Sequence, residues 1–317
     1  MTFKNKKIFV AGHKGLVGSA IVRALQKRNF KKILTIEKSK LDLKNQPGVQ
    51  KFFKKNRPDY VIIAAAKVGG ILSNNKYKAD FIYENLSIQN NLIHLAYLYK
   101  VKKLIFLGSS CVYPKLCKQP IKEKFLLSGK LEETNDAYAI AKIAGIKMCE
   151  SYNLQYNTNF ISLMPTNTFG PNDKYNTLNS HFLPALIKKV HKIRNHNKPK
   201  LLIWGNGKAK RELIYVDDIA DACIYFLNKR TKHSLINIGT GKDFTINYYA
   251  KLLTKIVCPK KKVEFIYDNS KPNGTPRKVL NVGLAKSYGW KSKHNLTNAL
   301  EFTYKDFIKN KIKTSKI

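Results

Sequence analysis

Tyr138 and Lys142 stand four residues apart, so on a helix they lie on one face within reach of each other. That pairing can do chemistry. A phenol ordinarily loses its proton only near pH ~10, and a nearby ammonium stabilises the phenolate and makes proton exchange easier. A lysine so placed can also hold ribose hydroxyls. Upstream, LGSSCVYP puts Ser109, Ser110 and Cys111 just after the apolar run Leu104–Leu107. They therefore fall at the carboxyl end of a strand, where open α/β sheets bind ligands. A hydroxyl there can hydrogen-bond a carbonyl or an alcohol beside the tyrosine. A YxxxK alone is common by chance. Its weight comes from the order in which a glycine loop, a serine strand end and YxxxK follow one another.

The glycine loop opens the chain. GHKGLVG places Gly12, Gly15 and Gly18 after the apolar run Ile8–Ala11 and at the start of the helical spacing Leu16–Lys27. Such a loop needs a turn tolerant of positive φ, close approach of backbone to a pyrophosphate, and tight helix–sheet packing. The N–H groups of the first helical turn, at Leu16, Val17 and Gly18, face the phosphates with the positive end of the helix dipole. At the end of the second strand an acid suits the ribose of NAD, and a cation suits the 2′-phosphate of NADP. Here Glu37 argues for NAD, whereas Lys38 and Lys14 argue for NADP(H), which is the expected cofactor. Asp42 is a candidate for the adenine amino group, or a surface or capping residue.

The elements that must position these residues follow from hydrophobic periodicity. Strands are expected at 8–11, 33–36, 61–65, 104–107 and 159–164. Helices are expected at 16–27, 49–55, 81–99 and 138–152. Alternation of this kind implies a Rossmann-type doubly wound parallel sheet with right-handed crossovers. After Met164 the rhythm loosens. Helices are expected at 183–192, up to Leu227, after Thr245 and at 296–309, with strands at 201–204, 235–238 and 261–267 and a turn at KPNGTPRK. The fold class is α/β. Residues 1–165 form the coenzyme domain, joined by interleaved segments near 210–240, and 166–317 form mainly a smaller α/β substrate domain. Asp217 and Asp218 read as a helix cap.

Composition narrows the class. Five cysteines without metal-ligand spacing point to a reduced, cytoplasmic protein without disulfides or structural metal. No apolar run is long enough to span a membrane. The net charge of +39 comes mostly from lysines spread along the whole chain. It favours anionic ligands, and it raises the alternative of a basic nucleic-acid-binding protein on the same fold. Lysine on every solvated face explains it as well, since no arginine-rich patch or aromatic RNA-binding motif is present.

Several segments together resemble the GDP-L-fucose synthase family of extended short-chain dehydrogenase/reductases. They are AAAKVGGI from Ala64, FLGSSCVYPK, YAIAKIAGIKMCESYN, MPTNTFGPND, NSHFLPAL, WGNGKAKRE and SKPNGTPRK. The resemblance implies conversion of GDP-4-keto-6-deoxy-D-mannose to GDP-L-fucose. That reaction is a 3,5-epimerisation followed by NADPH-dependent reduction at C4. The resemblance assigns Ser109, Tyr138 and Lys142 to reduction, Cys111 and His181 to epimerisation, and Ala64 to the coenzyme. Candidates for the nucleotide sugar are Asn167, Lys189, Trp204, Arg211 and Lys278, with Ser109 and His181. Arg211 suits a bidentate diphosphate contact, and Trp204 offers a flat face or a core residue. A homodimer through the helices at 81–99 and 138–152 is expected by analogy. A 4-epimerase or 4,6-dehydratase of the same family is the alternative enzyme. Dehydratases carry an acidic pair where this chain has Ser110–Cys111.

Overall fold

Buried apolar runs and amphipathic segments alternate through the first half of the chain, and each becomes the element its periodicity requires. The protein is described from a computed structural model, which covers residues 3–175, 181–270 and 275–314. β1 (Lys7–Ala11) leads to α1 (Leu16–Lys27), which turns Ala20, Ile21 and Leu25 inward. β2 (Lys32–Leu34) is followed by α2 (Gln46–Asn56). Asn45 starts α2 by accepting the Gly48 N–H, and Pro47 fits its first turn. β3 (Tyr60–Ile63), α3 (Ile71–Lys76), α4 (Lys78–Leu98), β4 (Lys103–Leu107), α5 (Asp136–Tyr156) and β5 (Phe160–Pro165) complete this half.

The second half contains β6 (Asn167–Phe169), α6 (Phe182–Ile193), β7 (Lys200–Trp204), β8 (Lys210–Tyr215), α7 (Val216–Asn228) and β9 (Leu235–Ile238). Then come β10 (Asp243–Thr245), α8 (Ile246–Val257), β11 (Glu264–Asp268), β12 (Arg277–Lys278), α9 (Gly283–Ser287) and α10 (Leu296–Thr314). The main sheet has six strands in the order β2-β1-β3-β4-β5-β9, all parallel. Both its faces are covered, so its strands are apolar throughout rather than alternating. Ile8 and Val10 point into a core with α1 and α7, whereas Phe9 and Ala11 point into a core with α2, α4 and α5. A third core lies among α6, α8, α10, β7 and β8. Small sheets in this part join β10, β8, β12 and β6, and separately β7 and β11.

The chain leaves β1 toward β2 on one side and later returns to β3 on the other. The crevice between the carboxyl ends of β1 and β3 is therefore the switch point where such sheets bind ligands. α7 and β9 carry the chain back to the main sheet after an excursion.

Some sequence expectations are corrected. The second strand ends at Leu34 and the third at Ile63, where their pairing with β1 stops. The strand expected over 261–267 begins only at Glu264, where pairing with Lys200 of β7 starts. Neither Asp217 nor Asp218 caps α7, whose N-cap is Tyr215. Asp217 instead pairs with Arg23 at 3.2 Å, and the buried Asp218 accepts from the Lys293 and His294 N–H groups and contacts the His294 ring at 2.9 Å. Thr245 does open α8, accepting the Tyr248 N–H at 3.1 Å. The centre of the expected turn at KPNGTPRK, and Asn179 and Ser180 of the NSH segment, lie outside the described residues.

Candidate active site

The glycine loop at the switch point has room only for backbone. Gly12 adopts φ +85°, and a Cβ on it would come within 2.6 Å of the Ala65 nitrogen beyond β3. A Cβ on Gly18 would lie 2.1 Å from the Gly12 carbonyl oxygen. α1 is thus pressed against the loop. Its N-cap is Gly15, and no side chain closes its first turn. The N–H groups of Leu16, Val17 and Gly18 have no partner within the helix. The cradle fits a dinucleotide pyrophosphate, with Ala64 lining the β3 side.

At the ribose end, Lys14 and Glu37 form a 2.7 Å ion pair, and the Lys14 ammonium holds the Glu37 carboxyl below its usual range. The acid that argued for NAD is thereby answered by a cation of the glycine loop. Lys38 follows directly. Asp42 accepts the Lys44 N–H at 3.0 Å and lies 3.7 Å from its ammonium.

β4 ends at Leu107, and a short 3₁₀ turn over Ser110–Val112 follows. Ser109 caps that turn, its hydroxyl accepting the Cys111 N–H at 3.2 Å. α5 brings Tyr138 and Lys142 over this strand end. The Lys142 ammonium donates to the Leu107 carbonyl at 2.8 Å and sits 4.7 Å from the Phe106 ring centroid and 5.9 Å from that of Tyr138. Burial pulls the Lys142 amine down to about 7. Burial pushes the Tyr138 phenol up, helped by Cys111 and opposed by a hydrogen bond with Ser109. In this low-dielectric corner each neutral form is favoured, so the two groups depend on each other to ionise.

Cys111 is the meeting point of two chain segments. The Asn135 amide nitrogen lies 3.6 Å from its sulfur, and the Lys278 ammonium, on β12, 3.7 Å from it. His181 is the N-cap residue of α6. The residue as a whole is exposed, yet its ring is desolvated enough to lower the imidazole pKa, and the Lys278 charge adds to that effect. Ser109, Cys111, Tyr138, Lys142 and Lys278 therefore meet beyond the end of β4, and His181, at the start of α6, lies near enough to Lys278 to feel its charge. Lys278 sits beside the thiol and, across β12 and β8, beside Arg211.

Of the other candidates, Lys189 lies on α6, and Trp204, Arg211 and Asn167 lie on β7, β8 and β6. Lys189 places its ammonium 4.8 Å from the Trp204 ring and donates to the Leu202 carbonyl at 3.1 Å. Trp204 is 42% exposed, so it is a surface platform and not a core residue. Arg211 on β8 pairs in register with Lys278 and donates to the Thr275 carbonyl at 2.5 Å. Asn167 donates to the Glu212 carbonyl at 3.0 Å.

Two residues escaped the sequence reading. Asn135 is one. Glu212 is the other, a fully buried carboxylate that accepts the N–H groups of Thr240, Gly241 and Leu280. It ties β8 to the segment that carries Lys278. Its position inside KRE, beside Arg211, was the available signal.

Comparison with known proteins places this geometry. Residues 8–239 match the family model described as "NAD dependent epimerase/dehydratase family". The chain belongs to that family. It is 49% identical over 310 residues to GDP-L-fucose synthase 1 of Arabidopsis thaliana, covering 98% of this chain and 95% of that protein. It is 46% identical to the GDP-L-fucose synthase of Escherichia coli (strain K12), covering 96% and 97% of the two chains. Among solved structures, a GDP-L-fucose synthetase from Naegleria fowleri bound to NADP superposes with a TM-score of 0.89 at 27% identity, covering 98% and 95%. Membership of the epimerase/dehydratase family accounts for the parallel sheet, the glycine cradle and the YxxxK helix together. Among the described residues no helix is long and apolar enough to cross a membrane, and no cluster of His, Cys, Asp or Glu could hold a metal ion.

Proposed function

We propose that this protein is a GDP-L-fucose synthase, converting GDP-4-keto-6-deoxy-D-mannose to GDP-L-fucose with NADP(H). The observation that carries the reading is a thiol, a phenol and a buried lysine around one strand end, with an imidazole under the influence of the same ammonium as the thiol.

Epimerisation at C3 and C5 needs a proton removed from one face and returned to the other. Each of these carbons is next to the C4 carbonyl, so the electron pair of the broken C–H bond passes into an enolate. Cys111 and His181 supply the two faces. The Cys111 sulfur or the His181 nitrogen takes the proton, and the other group gives one back. Ser109 and Tyr138 hydrogen-bond the C4 oxygen, which stabilises the enolate and then the developing alkoxide. NADP(H), bound on Gly12, Gly15 and Gly18, supplies the hydride for C4. As the C4 carbonyl pair moves onto oxygen, Tyr138 gives up its proton. Burial keeps that phenol protonated until the step, and Lys142 stabilises the phenolate left behind. Arg211 holds the diphosphate, Trp204 and Lys189 the base, and Lys38 with Lys14 the 2′-phosphate.

A homodimer in the cytoplasm completes the reading. α4 and α5 pack side by side and still expose Tyr83, Leu98, Ile140, Leu154 and Tyr156, an apolar surface suited to a second copy. The test is incubation of the purified protein with GDP-4-keto-6-deoxy-mannose and NADPH. NADPH oxidation is followed alongside the stereochemistry of the product. Net oxidation yielding GDP-L-fucose is expected. Turnover without NADPH consumption, or a product unchanged at C3 and C5, overturns the reading.

A further inference from the structure

Asn135 sits one turn before Tyr138, at the N-cap of α5, but its side chain caps nothing. Its backbone is held by donation to the Glu132 carbonyl at 3.1 Å and by acceptance from the Ala139 N–H at 3.0 Å. The amide side chain has one hydrogen bond, from its nitrogen to the Cys111 sulfur at 3.6 Å. Its oxygen is buried and has no hydrogen-bond partner. A buried amide oxygen without a partner is costly in a folded protein and calls for a reason. An asparagine N-cap ordinarily spends its oxygen on the helix amides. This one turns to the thiol instead.

We propose that Asn135 is a positioning residue for the Cys111 sulfur, serving it in both of its protonation states. This rests on the reading of Cys111 as a proton-transfer group. During epimerisation an S–H bond is formed or broken as a sugar C–H bond is broken or formed, so the sulfur alternates between thiolate and thiol. A thiolate accepts hydrogen bonds, and the Asn135 N–H donates to it. A thiol must place its own proton. Rotation of the amide by half a turn offers the sulfur the oxygen as acceptor. That rotation breaks no other hydrogen bond, and it leaves one amide group unpartnered before and after, so the two orientations are nearly balanced. Lys278 can donate but cannot accept. It therefore serves the thiolate only. The amide is what keeps the sulfur aimed at the sugar when it carries the proton.

The test separates proton transfer from hydride transfer. Deuterium incorporation from D2O into C3 and C5 of GDP-4-keto-6-deoxy-mannose is measured with NADP+ present, which allows exchange but not reduction. Oxidation of GDP-L-fucose by NADP+ reads the hydride step alone. In Asn135→Ala the exchange rate is expected to fall by about tenfold or more, the worth of one hydrogen bond to a charged group, with hydride transfer within about twofold. Asn135→Asp distinguishes a structural role, since aspartate keeps the size and the acceptor oxygen of asparagine but cannot donate to a thiolate. Exchange in Asn135→Asp is expected to fall at least as far as in the alanine variant. Wild-type exchange in either variant overturns the proposal, as does an equal loss of both steps. Absence of exchange in the wild-type protein instead overturns the assigned function.

Discussion

The three glycines of the phosphate loop should respond very differently to the same added methyl group. Gly15→Ala places its Cβ 3.4 Å from the Gly12 carbonyl oxygen at φ −76°, an ordinary contact in an ordinary conformation. Gly18→Ala places its Cβ 2.1 Å from that oxygen and 2.6 Å from the Gly12 carbonyl carbon, both backbone atoms that cannot swing aside. To restore a tolerable contact, α1 must retreat from the loop by about 1.3 Å, a distance that follows from the two separations. Overpacking of this kind costs about 1–3 kcal/mol or more in stability. The N–H groups of the first turn retreat with the helix. A hydrogen bond of about 2.9 Å to phosphate then stretches beyond 4 Å and is lost. Two lost bonds to a charged group, at about 1.5–3 kcal/mol each, weaken NADPH binding by at least about a hundredfold. Urea denaturation and fluorescence titration with NADPH measure the two effects. If Gly18→Ala melts and binds like Gly15→Ala, the close packing of α1 on the loop is not what forms the cradle.

Four other outcomes follow from the site. Tyr138→Phe removes the proton donor, so NADPH oxidation in steady-state assays should fall by about 10²–10⁴, with coenzyme affinity little changed. Glu212→Ala leaves the Thr240, Gly241 and Leu280 N–H groups without their acceptor in the interior, a loss of at least about 3 kcal/mol in chemical denaturation at about 1 kcal/mol or more each. Because Leu280 lies two residues from Lys278, Glu212→Gln should raise KM for the nucleotide sugar more than it weakens NADPH. For Lys142 the folded value of about 7 lies below the ordinary 10.5. Between those values the unfolded chain holds more protons, so this group makes stability rise with pH. Lys142→Met should therefore gain in stability over the wild type near pH 6, and the gain should shrink toward pH 10 in denaturation curves collected across that range.

Much of the fold was legible because it rests on local periodicity. The expected span of α1, Leu16–Lys27, matches the structure, as does β9, Leu235–Ile238. Buried parallel strands are continuous apolar runs, and their flanking helices have one apolar stripe each, so both signals are strong. Elements set by pairing were harder. β6, β8 and β10 are short or carry polar residues, as in KRELIY, and their strand character comes from one another. α3 was missed because ILSNNK is too short for a helical period to register. The Asp217–Asp218 pair misled for a related reason. An acidic residue before an apolar helix resembles a cap, but Arg23 and His294, far away in sequence, claim these carboxylates.

The site divides along the same line. Tyr138 and Lys142, or Gly12 and Gly18, are close in sequence, so helix geometry and turn sterics announce them without a fold. Cys111, Asn135 and Lys278 are brought together by three separate segments, and no local pattern links them. A lysine-rich sequence hides Lys278 further, since the ammonium beside the thiol looks like all the others. What singles it out is the strand that carries it. The Arg277 side chain is held by Asp243 at 2.6 and 3.0 Å, the Leu280 N–H by Glu212 at 2.7 Å, and the strand itself pairs with β8, so the segment is tied down on both sides of Lys278. A solvated lysine has no use for such anchoring. An ammonium held 3.7 Å from the Cys111 sulfur does.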